Sequence, residues 1–182
     1  DMAEDVVHLM DFVGYENAHI IGISMGGMIA QIIAAKYPQR SKSLISIMST
    51  PLAPHLPSPT MVAEDELRNI ATGESQEELE INVRNRGFYP ESMLRHLMAI
   101  LKTGDRSDEV ATIEIPTLVI HGSKDGLIPS EHGLFTANLI TNSHFELIDQ
   151  MGHNMPARVV PIVVSHIRSY LNEVEKNEGM HP

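Results

Sequence analysis

The chain contains no cysteine. Disulfide bonds, thiolate metal sites and a cysteine nucleophile are therefore excluded, and the composition suits a reducing compartment, with the cytoplasm as the expected location. Basic residues are scarce as well, 13 Lys and Arg against 24 Asp and Glu, which gives a formal charge of −11. Nucleic acids and anionic membrane surfaces both demand clustered positive charge, so neither is an expected partner. No apolar run approaches the roughly 20 residues that span a bilayer as a helix. Histidines such as His8, His55, His96 and His132 show no paired ligand spacing with nearby carboxylates, so no metal and no other cofactor is expected.

What is present fits one domain, since 182 residues fall within the usual range for a single core. Residues 2–13 carry Val6, Met10 and Val13 at helical spacing, with Leu9 and Phe12 widening that face and Gly14 as the terminating cap. Ala18 to Ile23 is a short apolar run, read as a buried parallel strand. Helix follows over 25–37, with Ile29, Ile33 and Tyr37 in register and Pro38 as its stop, and Leu44 to Met48 reads as the next strand. Pro51, Pro54, Pro57 and Pro59 then mark an exit from the sheet. The segment beyond reads as helices at Glu64–Ala71, Ser75–Arg86 and Glu91–Lys102, closed by a polar return loop at 104–108. Alternation resumes with strand Pro116–His121, helix 131–140, strand His144–Ile148 and a long helix from Pro156 to Val174. Four strands alternating with helices predict an α/β fold, a parallel sheet covered on both faces.

One stretch carries a chemical signature. Gly22-Ile23-Ser24-Met25-Gly26 follows a predicted strand and opens a predicted helix, the setting in which a sharp turn projects a serine hydroxyl. The turn is expected to leave no room for side chains at Gly22 and Gly26. A serine is a poor nucleophile unless an imidazole takes its proton and an anion orients that imidazole. Ligand sites of parallel sheets lie beyond the carboxyl ends of the strands, where His153 and Asp125 also fall. Asp105, Asp108 and Asp149 are alternatives for the acid, while Ser49-Thr50-Pro51, after the strand ending at Met48, offers no carboxylate. The chain order Ser, Asp, His is the order of hydrolases with this turn. The backbone N–H of Met25 is the expected first donor of an oxyanion hole, with a second from a loop after an earlier strand. His121 is read as a hydrogen-bonded structural histidine. Met25, Met28, Met151 and Met155, with Met93 and Met98, are candidates for an adaptable apolar pocket as well as ordinary core.

These residues bring a family into view. Through Gly22-Ile23-Ser24-Met25-Gly26-Gly27, Pro116-Thr117-Leu118-Val119-Ile120-His121-Gly122 leading to Asp125, and Gly152-His153, the sequence resembles the α/β-hydrolase family over nearly its whole length. Asp1-Met2-Ala3-Glu4-Asp5, Ile47-Met48-Ser49-Thr50 and Gly104-Asp105-Arg106 look like its small-molecule carboxylesterase branch, which includes aclacinomycin methylesterase. The resemblance implies Ser24, Asp125 and His153 as nucleophile, acid and base acting on a small apolar ester. It implies a core in two parts, 1–51 and 111–176, a helical cap at 52–110 and a tail at 177–182. Family members begin with further strands, one of which supplies the second oxyanion donor, so the chain is expected to be the C-terminal part of a hydrolase and weak by itself. The edge of the strand at 18–23 would then favour association with another chain, as a homo-oligomer.

Overall fold

The computed structural model describes residues 2–58 and 90–178. The predicted helices Glu64–Ala71 and Ser75–Arg86, and with them most of the expected cap, lie outside those residues.

Helix α1 (Met2–Val13) ends where Gly14 adopts φ +80° and its N–H bonds back to Asp11, as its lack of a Cβ allows. Strand β1 (Ala18–Ile23) leads into α2 (Met25–Lys36), which Pro38 stops. Strand β2 (Ser41–Ile47) begins earlier than its apolar run suggests, because Ser41 and Ser43 join the ladder through their backbones opposite Ala18 and His19. Helix α3 (Pro90–Thr103) is followed by α4 (Ser107–Val110), a short helix that begins within the expected return loop at 104–108 and runs past its end. Asp105 starts it by accepting bonds from the Ser107 amide (2.9 Å) and hydroxyl (2.6 Å). Strand β3 (Thr117–Gly122), α5 (Glu131–Leu139) and β4 (Ser143–Ile148) follow within a residue or two of their predicted positions. Helix α6 (Val160–Glu178) starts later than Pro156: residues 156–159 form a turn closed by the Val159 amide on the Pro156 carbonyl. Pro161, in the first helical turn, lacks only an amide that has no partner there.

The strands form one parallel sheet in the order β1-β2-β3-β4. Its pleat divides the core in two. Leu44 joins Ile20, Ile33 and Val110 under α1, α2 and α4, whereas Ile45 and Ile47 join Leu118, Ile120 and Ile148 under α6. The parallel α/β class is thereby met. The face of α1 is shifted from the expected one: Met10 is buried and Val6 packs against the core as expected, but Ala3 and Val7 complete the stripe, while Leu9, Phe12 and Val13 are exposed, Phe12 by 88%. Spacing alone permits either stripe, and α2 selects the one that starts at Ala3. β1 is an edge strand, with Ile21 and Ile23 exposed.

The points where the chain leaves and rejoins the sheet are tied to each other. Arg106, buried at the return, donates to the carbonyl of Thr50 at 2.8 Å, and its amide donates to that of Pro51. The Thr50 hydroxyl lies 2.6 Å from His132 Nδ1, whose ring Nε2–H donates to the Pro57 carbonyl. Burial lowers the proton affinity of His132, which suits an Nδ1 that accepts from Thr50.

Candidate active site

The register of the sheet brings three loops to one level. Ile23 pairs with Ile47, Ile47 with Ile120, and Gly122 with Ile148, so β1, β3 and β4 end close together at the carboxyl edge. The segments that leave these ends hold Ser24, Asp125 and His153.

Ser24 occupies φ 54° and ψ −121°, a conformation that costs a non-glycine residue about 1–3 kcal/mol. The surroundings impose it. The Ser24 amide continues the ladder onto the Ile47 carbonyl at 2.8 Å, while its own carbonyl receives the amides of Gly27 and Met28 as the first turn of α2. The chain turns so tightly that a methyl group at Gly22 would overlap the Gly26 carbonyl. Gly26 departs from expectation: a Cβ there would meet nothing within 4 Å. The crowding falls on the glycine before the serine because that one faces the incoming helix. Met25 opens α2, so its amide is among the helix N-terminal donors without an intrahelical acceptor.

The acid and histidine loops are joined to each other. Lys124 N–H donates to the Met151 carbonyl at 3.0 Å and Ser123 N–H to that of Ile148. Asp149 accepts from the Ser123 hydroxyl at 3.0 Å and stays exposed, and Asp105 and Asp108 lie toward solvent too. Of these four aspartates, Asp125 is the one that meets His153.

Its contacts are specific. Asp125 Oδ1 accepts from the amides of Leu127 (3.1 Å) and Ile128 (2.8 Å), and Oδ2 accepts from His153 Nδ1–H at 2.8 Å. On the other side of the ring, the Ser24 hydroxyl donates to His153 Nε2 at 2.8 Å. Burial alone would raise the proton affinity of Asp125; the contact from His121, the bond from His153, the nearby His153 ring and the Ile128 amide outweigh it, taking the carboxyl from 3.8 to about 2. The two amides of the Asp125 turn were not anticipated. Their signal was local: an Asp-Gly pair ahead of Pro129 is a turn sequence whose first side chain caps the amides that follow. Chemically, the arrangement offers a hydroxyl, an acceptor for its proton, an anion behind that acceptor and a helix N-terminus beside the hydroxyl.

A cavity of about 370 Å³ runs along α2, walled by Met25, Met28, Ile29 and Ile32, by Ala99 and Ile100 of α3, and by the charged Lys36, Arg106 and Glu109. Its lining reaches Met25 and does not include Ser24, Asp125 or His153. Met25 and Met28 thus line a pocket, whereas Met151 is fully buried in the core under α6.

Residues 1–99 match the sequence profile of the alpha/beta hydrolase fold family. A poly(3-hydroxyalkanoate) depolymerase of Ectopseudomonas oleovorans is 25% identical, over 100% of this chain and 70% of the relative. A 2-hydroxy-6-oxo-6-phenylhexa-2,4-dienoate hydrolase of Comamonas testosteroni is 27% identical, over 83% of this chain and 61% of the relative. The chain thus spans between 61% and 70% of the length of these two proteins. Among solved structures, a meta-cleavage product hydrolase from Pseudomonas fluorescens IP01 superposes with a TM-score of 0.66 at 19% identity, over 94% of this chain and 70% of that one. Likeness at that identity speaks for the fold alone.

Proposed function

The chain belongs to the alpha/beta hydrolase fold family, and on that premise we propose that its site hydrolyses carboxylic esters of small apolar molecules through an acyl-enzyme formed on Ser24. The observation that carries the reading is the unbroken line from Ser24 Oγ to His153 Nε2 and from His153 Nδ1 to Asp125 Oδ2, both steps 2.8 Å. Ser24 Oγ attacks the ester carbonyl carbon while its proton passes to His153 Nε2. The negative oxygen that forms is met by the Met25 amide and the positive end of α2. Collapse breaks the carbon–oxygen bond, and the alcohol leaves with the proton from His153. Water, deprotonated by the same imidazole, then releases the acid and restores Ser24. Met25 and Met28, which line the cavity within four residues of Ser24, favour an apolar substrate group there.

A fluorophosphonate probe tests the reading. Stoichiometric labelling is expected on Ser24, located by peptide mass spectrometry, and Ser24→Ala is expected to abolish it. A folded chain that resists the probe, or a Ser24→Ala variant that still reacts, overturns the assignment and favours a non-catalytic module on a hydrolase scaffold.

A further inference from the structure

We propose that His121 is a positioning residue: its Nε2–H stands behind the Asp125 carboxylate and fixes the orientation in which Asp125 meets His153. This rests on the ester-hydrolase reading above. His121 lies near the end of β3 and is wholly buried. Nε2 lies 2.8 Å from the Ile128 carbonyl. A carbonyl oxygen can only accept, so the hydrogen resides on Nε2. That same nitrogen lies 3.4 Å from Asp125 Oδ2, the oxygen that holds His153. Ile128 in turn donates its amide to Asp125 Oδ1. His121 thereby acts on both carboxylate oxygens, on Oδ2 from behind and on Oδ1 through the turn whose carbonyl it holds.

The far side of the ring argues against mere filling of space. Among the described residues the buried Nδ1 has no hydrogen-bond partner, a cost that an apolar side chain would avoid. It also forces a glycine on the neighbouring helix, because a methyl group at Gly133 would overlap the ring. An imidazole kept at this cost is explained by what its other nitrogen does. The contact from His121 is, besides, among the interactions that hold the Asp125 carboxyl low.

The test compares three variants. His121→Gln keeps an amide donor near the Nε2 position, His121→Asn ends its amide near Nδ1, and His121→Phe has no donor. Fluorophosphonate labelling of Asn and Phe variants that remain folded by circular dichroism is expected to slow by about 10²-fold, the scale of a small misplacement at a reacting centre. His121→Gln is expected to recover most of the rate. In proton NMR, the downfield resonance of the His153 Nδ1–H should shift or vanish in the Asn and Phe variants and persist in the Gln variant, which a purely structural role would not produce. Wild-type labelling rates in folded His121→Phe, or an unmoved resonance in all three, overturn the proposal. Should the variants fail to fold, nitrogen-15 NMR of the wild type decides: a hydrogen on His121 Nδ1 instead of Nε2 refutes it, and one on Nε2 supports it. Failure of the hydrolase reading would show separately, as labelling that survives Ser24→Ala.

Discussion

At Asp125, burial opposes the charge and four interactions restore it, leaving the carboxyl at about 2 instead of 3.8. A lowered value means that the native state favours ionisation. The resulting stability is therefore present in full above pH 3.8 and is lost as pH falls through about 2. Its size is about 2 kcal/mol, since each tenfold change in proton affinity is worth about 1.4 kcal/mol. Asp125→Asn removes the component: in urea titrations, the difference in stability between wild type and variant should narrow by about 2 kcal/mol between about pH 5 and pH 2. The same variant takes the anion from behind His153 and offers an amide that stabilises the wrong tautomer. Ester turnover should fall on the order of 10⁴-fold, read as kcat with a chromogenic acyl ester.

At the scale of the element, the turn between β1 and α2 separates two glycines that look equivalent in Gly22-Ile23-Ser24-Met25-Gly26. Gly22→Ala drives a methyl into the Gly26 carbonyl, backbone that cannot give way without dismantling the turn. A loss of about 1–3 kcal/mol or more is expected. Gly26→Ala meets open space inside a helix and should be neutral or stabilising by up to about 1 kcal/mol. Thermal denaturation of the two variants decides, and equal melting temperatures would contradict the geometry. The contrast also shows what the sequence could convey. Strand β1, helix α2 and the loops with Asp125 and His153 were legible because a strand that ends in a turn sequence announces its own boundary. Ser41 and Ser43 were not, since parallel pairing recruits their backbones whatever their side chains. The short helix α4 was hidden because its start depends on the Asp105 carboxylate meeting Ser107, a contact rather than a periodicity. The buried stripe of α1 escapes the sequence for a related reason: Phe12 and Val13 match the helical period, and the placement of α2 decides which stripe is covered.

At the scale of the whole molecule, β1 forms an edge of the sheet that no other described strand pairs with, with Ile21 and Ile23 exposed, and Leu9, Phe12 and Val13 of α1 are exposed as well. Unpaired strand edges are templates for another strand. A second copy of the chain is the expected occupant, opposed by a net charge of −11 that salt screens. Sedimentation velocity should show a dimer fraction that grows with protein and salt concentration and that Ile21→Lys diminishes; a chain monomeric at all salt concentrations would contradict this. One last consequence concerns the order in which the molecule comes into being. His153 and Asp125 are 28 residues apart, but His153 and Ser24 are separated by 129. Closing the longer loop costs about 1.4 kcal/mol more in chain entropy. Parallel sheets already fold slowly, because strands distant in sequence must meet before any contact repays the search. During synthesis Ser24 leaves the ribosome more than a hundred residues ahead of His153. Asp125 and His153 can meet once β3 and β4 have paired, while the contact between His153 and Ser24 waits until the sheet from β1 to β4 is whole.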